Sequence, residues 1–589
     1  MVKKNNSTRQ PSSHSPELTH DRHSWLSYEL RVALAGLLLW AALPPLNWWP
    51  LAWLFPIPLA TLIETRDWNI RRPYLRLWVI GMLFWIAVLQ GVRLAHWGNY
   101  FGLLGLGLYY GCFWPLFMAT ARSLRHRFSF PLPAAMAISW VGMEWLRGRG
   151  PVGLSGASLS HTQVHQTWLI QIADLAGAYG LSFLMMATAG SVAAWRFTES
   201  SKRSSIKYAW LGGSIGLVCL CIAYGGWRVN EKFESPDTRS IRVALIQGNI
   251  DSEFNIDPSR PERMIREYGQ LTYDAHKNFG DLDLVVWPES MFPVEFIVLD
   301  SDAEVLAGEH QRDDLIATQD VFNSLVRNLA RGINQVPSTS QGPARKTWLV
   351  LGVSILEMDD QTTRRYNSAL LIDPTGKIVG RYDKMHPIIF GEFMPLGEWF
   401  PWLYRLTPVG NGLTAGTHPS SFEVDGIRMS PSICFESTVP HLIRRQVAEL
   451  AQADTPADVL LNITNDGWFW GSSILDIQLH CAVFRAVENR KPMVIAANTG
   501  FSAWIDQMGQ LRAQGPRHDT GYLLAECWPN SRRTLYFWLG DWLWIGCLAI
   551  SLVSLAFRRT GMPLKSTHQR QTSDDSQAEN HGKKASDSS

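Results

Sequence analysis

Charge is scarce in this chain. Asp, Glu, Lys and Arg make up 18% of its 589 residues, and 54 basic against 52 acidic side chains leave a formal net charge of +2. So balanced a composition carries no electrostatic footprint for a phosphate backbone, and no nucleic-acid partner is expected. Cysteine is sparse as well: the seven present show no CxxC pair and no metal-ligand spacing, so neither a metal nor any other cofactor is expected. Cys112, Cys219, Cys221 and Cys547 lie in apolar runs, which leaves Cys434, Cys481 and Cys527. A disulfide between Cys481 and Cys527 is open to them in an oxidising compartment. No cleavable signal peptide is expected either, because a polar tail of about 24 residues precedes the first apolar run and no small-residue cleavage pattern follows it.

Tryptophan, by contrast, is abundant at 27 residues, and apolar residues gather in runs before residue 230 and again near the C-terminus. A helix needs roughly 20 apolar residues to cross a bilayer. Seven such runs precede the polar middle of the chain, at about 28–46, 48–64, 77–96, 101–121, 130–146, 167–195 and 207–227, and an eighth follows at 534–557. Lys and Arg collect on the cytoplasmic side of membrane proteins. The basic stretches of the N-terminal tail and of 66–76, 122–127, 196–207 and 558–565 alternate correctly with eight crossings. That pattern expects residues 25–230 to form a transmembrane domain of about seven helices, 235–530 to be periplasmic, and 534–557 to return the chain to the cytoplasm. Arg147 and Arg149 fall on the far side, against the trend. The tails, 1–24 and 560–589, are Ser-, Lys- and Asp-rich and expected to be disordered.

In the middle region, β-rich apolar runs at 241–247, 282–287, 348–354 and 459–463 alternate with helical stretches at 258–277, 318–332, 439–451 and 475–490. Strands alternating with helices imply a layered α/β domain. The stretch 300–345 is long and polar, and its Pro337–Pro343 segment reads as an exposed loop.

Three segments of this region each close a strand on one reactive side chain. They are Val286-Trp-Pro-Glu-Ser290, Arg381-Tyr-Asp-Lys-Met385 and Met429-Ser-Pro-Ser-Ile-Cys-Phe-Glu436, which deliver Glu289, Lys384 and Cys434. Alone, a cysteine in an apolar strand is usually an inert core residue. Together the three make a catalytic set. A thiol attacks a carbonyl as its thiolate, so it needs a carboxylate to take the proton and a cation to favour the charge that forms. Lys384 and the backbone N–H of Phe435 are the candidate donors to a tetrahedral oxyanion.

The order of these segments, with Phe390-Gly-Glu392 and Pro395, then Thr464-Asn-Asp-Gly-Trp-Phe469, Phe484-Arg-Ala-Val-Glu-Asn-Arg490 and Asn498-Thr-Gly-Phe-Ser502, resembles the nitrilase superfamily. Within it, the chain is most similar to the apolipoprotein N-acyltransferases of bacterial inner membranes. It departs from their usual pattern at Phe435, where a tyrosine is common, and near Ile256, where an aromatic residue is common. The resemblance implies a multi-pass α-helical membrane domain joined to an α/β nitrilase-like domain, a four-layer α-β-β-α sandwich. It also implies a Glu289–Lys384–Cys434 triad working by a ping-pong mechanism, with Glu392, Phe435, Glu436 and Trp468 supporting the lysine or touching substrate. The acyl donor would be a phospholipid, the acceptor a diacylglyceryl-cysteine apolipoprotein, and the location the inner membrane. A membrane-tethered amidase using the same triad on a small amide, or a non-catalytic scaffold, are the alternatives.

Aromatic residues crowd two loops beside these segments: Trp399, Phe400 and Trp402 in 390–404, and Trp468, Phe469 and Trp470 in 466–475. Core packing is the plain reading of any one of them. As a set they suit lids that touch lipid, since tryptophan favours the membrane interface.

Overall fold

The computed structural model describes residues 27–197, 204–231, 239–251, 257–299, 312–335, 345–359, 362–389, 391–394, 397, 399–400, 402 and 412–557. Both tails, the segment 337–343, Ile256, Phe390 and Pro395 lie outside the described residues.

Two sheets form the α/β domain. The first takes β1 (Ile241–Gln247), β2 (Leu284–Val286), β3 (Phe296–Leu299), β4 (Trp348–Met358), β5 (Thr363–Ile372) and β6 (Ile378–Asp383). The second takes β7 (Phe422–Val424), β8 (Ile427–Ile433), β9 (Val459–Thr464), β10 (Met493–Ala497), β11 (Ala503–Ile505) and β12 (Leu511–Gln514), after which β13 (Gly521–Cys527) returns to the first sheet beside β1. Strand orders are β13-β1-β2-β4-β5-β6, with β3 also on β4, and β12-β11-β10-β9-β8-β7. The inner strands β1, β2, β9 and β10 are buried on both faces over most of their length, which is why they read as largely apolar runs, interrupted inside by Arg242 in β1 and Asn462 in β9.

Alternation along a strand assigns each side chain to a layer. Ile241, Val243 and Leu245 of β1 meet Val459, Leu461 and Ile463 of β9 in the core between the sheets. Ala244 and Ile246 turn the other way, onto the helices Arg260–Phe279 and Arg312–Asn334, whose buried Met264, Tyr268, Phe322 and Val326 recur at helical spacing. The second sheet is covered by the helices Pro440–Gln452 and Ile474–Asn489. The result is the α-β-β-α sandwich that the resemblance implies.

The helix Ile474–Asn489 is buried almost all round because its outer face packs against the N-terminal helices. Its Phe484-to-Arg490 motif does the docking. Arg490 donates to Asp174 at 2.8 and 3.0 Å, and Glu488 accepts the Ala178 N–H at 2.9 Å. Among the described residues, three helical runs before the domain are long and apolar enough to cross a membrane: Asn99–His126, Ala173–Arg196 and Tyr208–Val229. Leu51–Glu64, Pro73–Val88 and Trp542–Ala556 are apolar but shorter. Several expected runs are divided. Residues 48–64 hold two short helices, Leu51–Leu54 and Pro56–Glu64, and 534–557 breaks at Gly540. The two arginines that ran against the charge trend both have partners: Arg147 donates to Gly156 O and Ser158 Oγ inside the protein, and Arg149 pairs with Asp541 at 2.8 Å.

A Cys481–Cys527 disulfide does not form, for both cysteines are free. Cys481 lies on the outer helix, 3.7 Å from His161 Nδ1, whereas Cys527 ends β13 in the core between the sheets. The second sheet stands between them.

Candidate active site

Three strand ends converge, and each is anchored locally. After β2, the buried Trp287 donates its indole N–H to Thr272 at 2.9 Å and its backbone N–H to Val350 O at 2.9 Å. Glu289 follows. It lies so close to β4 that a Cβ at Gly352 would overlap the Pro288–Glu289 backbone, so only glycine fits there. After β6, the Lys384 N–H bonds Asn367 O of β5 at 2.9 Å, which fixes the lysine at the end of the β5–β6 hairpin. After β8, Cys434 adopts φ +54 at the head of the 3-10 turn Cys434–Thr438. For a residue with a Cβ that left-handed conformation costs roughly 1–3 kcal/mol and persists only when its surroundings impose it.

Glu436 imposes it. Its carboxylate is fully buried and accepts four hydrogen bonds, from Ile433 N–H at 2.7 Å, Met385 N–H at 2.7 Å, His386 N–H at 2.9 Å and the Tyr382 hydroxyl at 2.8 Å. One side chain therefore ties the cysteine turn to the strand end that carries Lys384. Phe435 is second in that turn, where a backbone N–H has no carbonyl to bind within the helix. Its ring stacks on His386, with centroids 6.4 Å apart and planes at 18°.

Lys384 is 1% exposed and lies between two carboxylates, with Nζ 3.2 Å from Glu289 Oε1 and 2.6 Å from Glu392 Oε1. Burial alone would lower its pKa, but Glu289 and Glu392 outweigh burial and hold it well above the ordinary lysine range. It is a fixed cation. Glu289 is further held by the Asn367 side-chain amide at 2.6 Å on Oε1 and by the Asn465 N–H at 2.8 Å on Oε2. Glu392 Oε2 accepts the Ile388 N–H at 2.8 Å.

Burial, and after it the negative charge of Glu289, pushes the Cys434 thiol well above its ordinary value, with Lys384 acting in the opposite sense. The side chain thus rests as a neutral thiol rather than a thiolate. For such a thiol to attack a carbonyl a base has to take its proton, and a carboxylate with one lone pair still open can do so. A nucleophilic thiol, a base and a permanent cation suffice for covalent acyl transfer.

The expected residues Glu289, Lys384 and Glu392 form one hydrogen-bonded cluster, and Glu436 joins it to the Cys434 turn. Trp468 is partly buried in the 3-10 turn Gly467–Phe469 after β9. Trp399, Trp402 and Trp470 are 76%, 56% and 50% exposed, which rules out core packing for those three. The Trp470 loop is latched rather than loose. Arg517 donates to Gly471 O at 2.8 Å and pairs with Asp476 at 2.6 Å, and Ser472 packs on Gly91 of the helical half.

Sequence reasoning missed Asn367, which shows no motif of its own. Its sole signal is register: a hairpin drawn through β5 and β6 sets it beside Lys384. Asn465 and Asn498 were inside quoted motifs but had no assigned role. Asn498 donates to Asn465 Oδ1 at 2.9 Å and to Ile250 O at 2.6 Å, and so supports the backbone that grips Glu289.

Comparisons with known proteins agree with this architecture in two parts. A family described as "Apolipoprotein N-acyltransferase N-terminal domain" matches residues 35–191, and one described as "Carbon-nitrogen hydrolase" matches residues 242–536. The apolipoprotein N-acyltransferase of Rhodopirellula baltica is 31% identical over 544 residues, covering 86% of this chain and 93% of its own. That of Geobacter metallireducens is also 31% identical, covering 90% of this chain and 95% of its own. Among solved structures, an amidase from Nesterenkonia sp. matches at 17% identity with a TM-score of 0.33, over 50% of this chain and 93% of the amidase.

Proposed function

The chain belongs to the apolipoprotein N-acyltransferase family, and we propose that it moves an acyl chain from a phospholipid, through a thioester on Cys434, to the N-terminal amine of a diacylglyceryl-cysteine apolipoprotein. The observation that carries this reading is the buried Glu289–Lys384–Glu392 cluster beside the neutral Cys434 thiol.

In the first step Glu289 takes the thiol proton as Sγ attacks the ester carbonyl. Lys384 and the Phe435 N–H receive the oxyanion, and the lyso-phospholipid leaves with the proton from Glu289. In the second step the acceptor amine attacks the thioester, its N–H proton passes by way of Glu289 to the departing sulfur, and the amide is released. Water is the competing nucleophile, so the exposed tryptophans around the site act as lipid-contacting lids that keep it out. The apolar helices hold both lipid substrates beside the cysteine, which replaces a diffusive encounter by a positioned one.

Full-length protein in phospholipid vesicles with no acceptor is expected to gain the mass of one acyl group on the Cys434 peptide. An adduct on Cys481 or Cys527 alone, or none at all, would reject the assignment.

The chain lies in the bacterial inner membrane with its α/β domain in the periplasm and both termini in the cytoplasm. Basic residues set this orientation, and the two arginines that opposed it are tied up by Gly156, Ser158 and Asp541. A phosphatase active only outside the cytoplasm is expected to work when fused after Glu234 and to stay dark after Arg559. The reverse pattern inverts the topology.

A further inference from the structure

We propose that Asp466 is the carboxylate that receives the acceptor amine: it binds the incoming ammonium in the Cys434 pocket and takes its first proton, so that an amine is favoured over water as second nucleophile. The inference rests on the two-step acyl transfer above and adds the group that makes its second step selective.

The need is chemical. An α-amino group has a pKa of about 7.7–8.0, so much of it arrives at neutral pH as an ammonium that cannot attack. A cation entering a buried site needs a counter-charge, and the ammonium must lose one proton before attack and a second during it. Glu289 can manage only the second. Its Oε1 is held by Asn367 and Lys384 and its Oε2 by Asn465, leaving the single vacancy that serves the sulfur's proton.

The other carboxylates at the site are engaged. Glu392 neutralises Lys384, and Glu436 is saturated by four donors. Asp466 differs from both. It lines the same small pocket as Cys434, together with Ser437, Asn462 and Gln478, and is 3% exposed. Its Oδ1 accepts the neutral hydroxyl of Thr464 at 2.9 Å, the side-chain amide of Gln478 is a second neutral donor, and it forms no ion pair among the described residues. Room is kept for it, because a Cβ at Gly500 would overlap Oδ2. Burial pushes its carboxyl up to about 7, with the Thr464 and Gln478 donors and Lys384 holding it down and Glu289 raising it. It therefore titrates where it can exchange a proton with an amine, and its field also reaches Cys434.

The step balances. The ammonium gives one proton to Asp466, and the freed amine forms the N–C bond to the thioester carbonyl. The C–S bond breaks, the second N–H proton reaches the sulfur through Glu289, and Asp466 releases its proton to solvent.

The test separates the half-reactions in full-length protein, using phospholipid vesicles and a synthetic diacylglyceryl-cysteine peptide. Asp466→Asn is expected to slow transfer of the acyl group to the peptide at least tenfold more than it changes loading of Cys434, and to hydrolyse the thioester no faster, so that thioester accumulates. Thr464→Val, which removes the hydroxyl donor but keeps the carboxylate, is expected to shift the pH midpoint of the transfer step upward without changing loading. Loading and transfer falling together in Asp466→Asn, or transfer unchanged in either variant, overturns the proposal. Should Asp466→Asn fail to fold, Thr464→Val decides alone. Absence of thioester on wild-type protein is a different failure, since it rejects the acyl-transfer reading itself.

Discussion

Cys434→Ser is expected to reduce acyl turnover to the uncatalysed background while leaving the fold unchanged. The substitution exchanges one atom. The backbone at φ +54, the turn hydrogen bonds from Ser437 and Asn462 to the residue-434 carbonyl, and the four donors on Glu436 do not involve the sulfur, so the thermal melt stays put. Chemistry suffers because a hydroxyl is a much weaker acid than a thiol, and Glu289 is matched to the thiol. The burial that already raises the thiol pKa would penalise an alkoxide further. Turnover within about tenfold of wild type, measured on detergent-solubilised protein, would show that another group is the nucleophile.

Lys384→Ala and Glu289→Gln should each slow the reaction by about 10²–10⁴, since one removes oxyanion stabilisation and the other the base. Their stabilities should differ. Removing Lys384 strands the buried Glu289 beside the half-buried Glu392, and breaking a buried pair this way costs up to roughly 3–5 kcal/mol. Glu289→Gln keeps an oxygen for Asn367 and Lys384, but turns an NH₂ toward the Asn465 N–H, a smaller loss. Calorimetry beside the transfer assay should therefore find Lys384→Ala the less stable of the two. Near-native turnover in both variants would leave the cluster with a structural role only.

Much of the molecule was legible in the residues themselves, because the signals were local. Largely apolar runs marked strands such as β1 and β9, since a strand buried on both faces has little polar side to display. Amphipathic spacing marked the covering helices, although Arg312–Asn334 begins six residues before the expected 318. Glu289, Lys384 and Cys434 were legible as candidates by residue type and by standing just past strand ends, where a sheet presents side chains to a cleft.

What escaped the sequence was every partner supplied by a distant segment. Asn367 grips Glu289 from 78 residues away and Asn465 from 176, and no local pattern encodes either contact. The charge rule counted Arg147 and Arg149 as loop cations, whereas the folded chain neutralises Arg149 with Asp541, 392 residues later. The Cys481–Cys527 pairing was open on paper and closed by a sheet lying between them. Sequence by itself determined which groups were available: a thiol, carboxylates, a cation and apolar helices. The tertiary structure decided their states. Burial and neighbouring charge made the thiol neutral, the lysine permanently charged and the Asp466 carboxyl titratable near neutral pH, because a pKa depends on what surrounds a group in space.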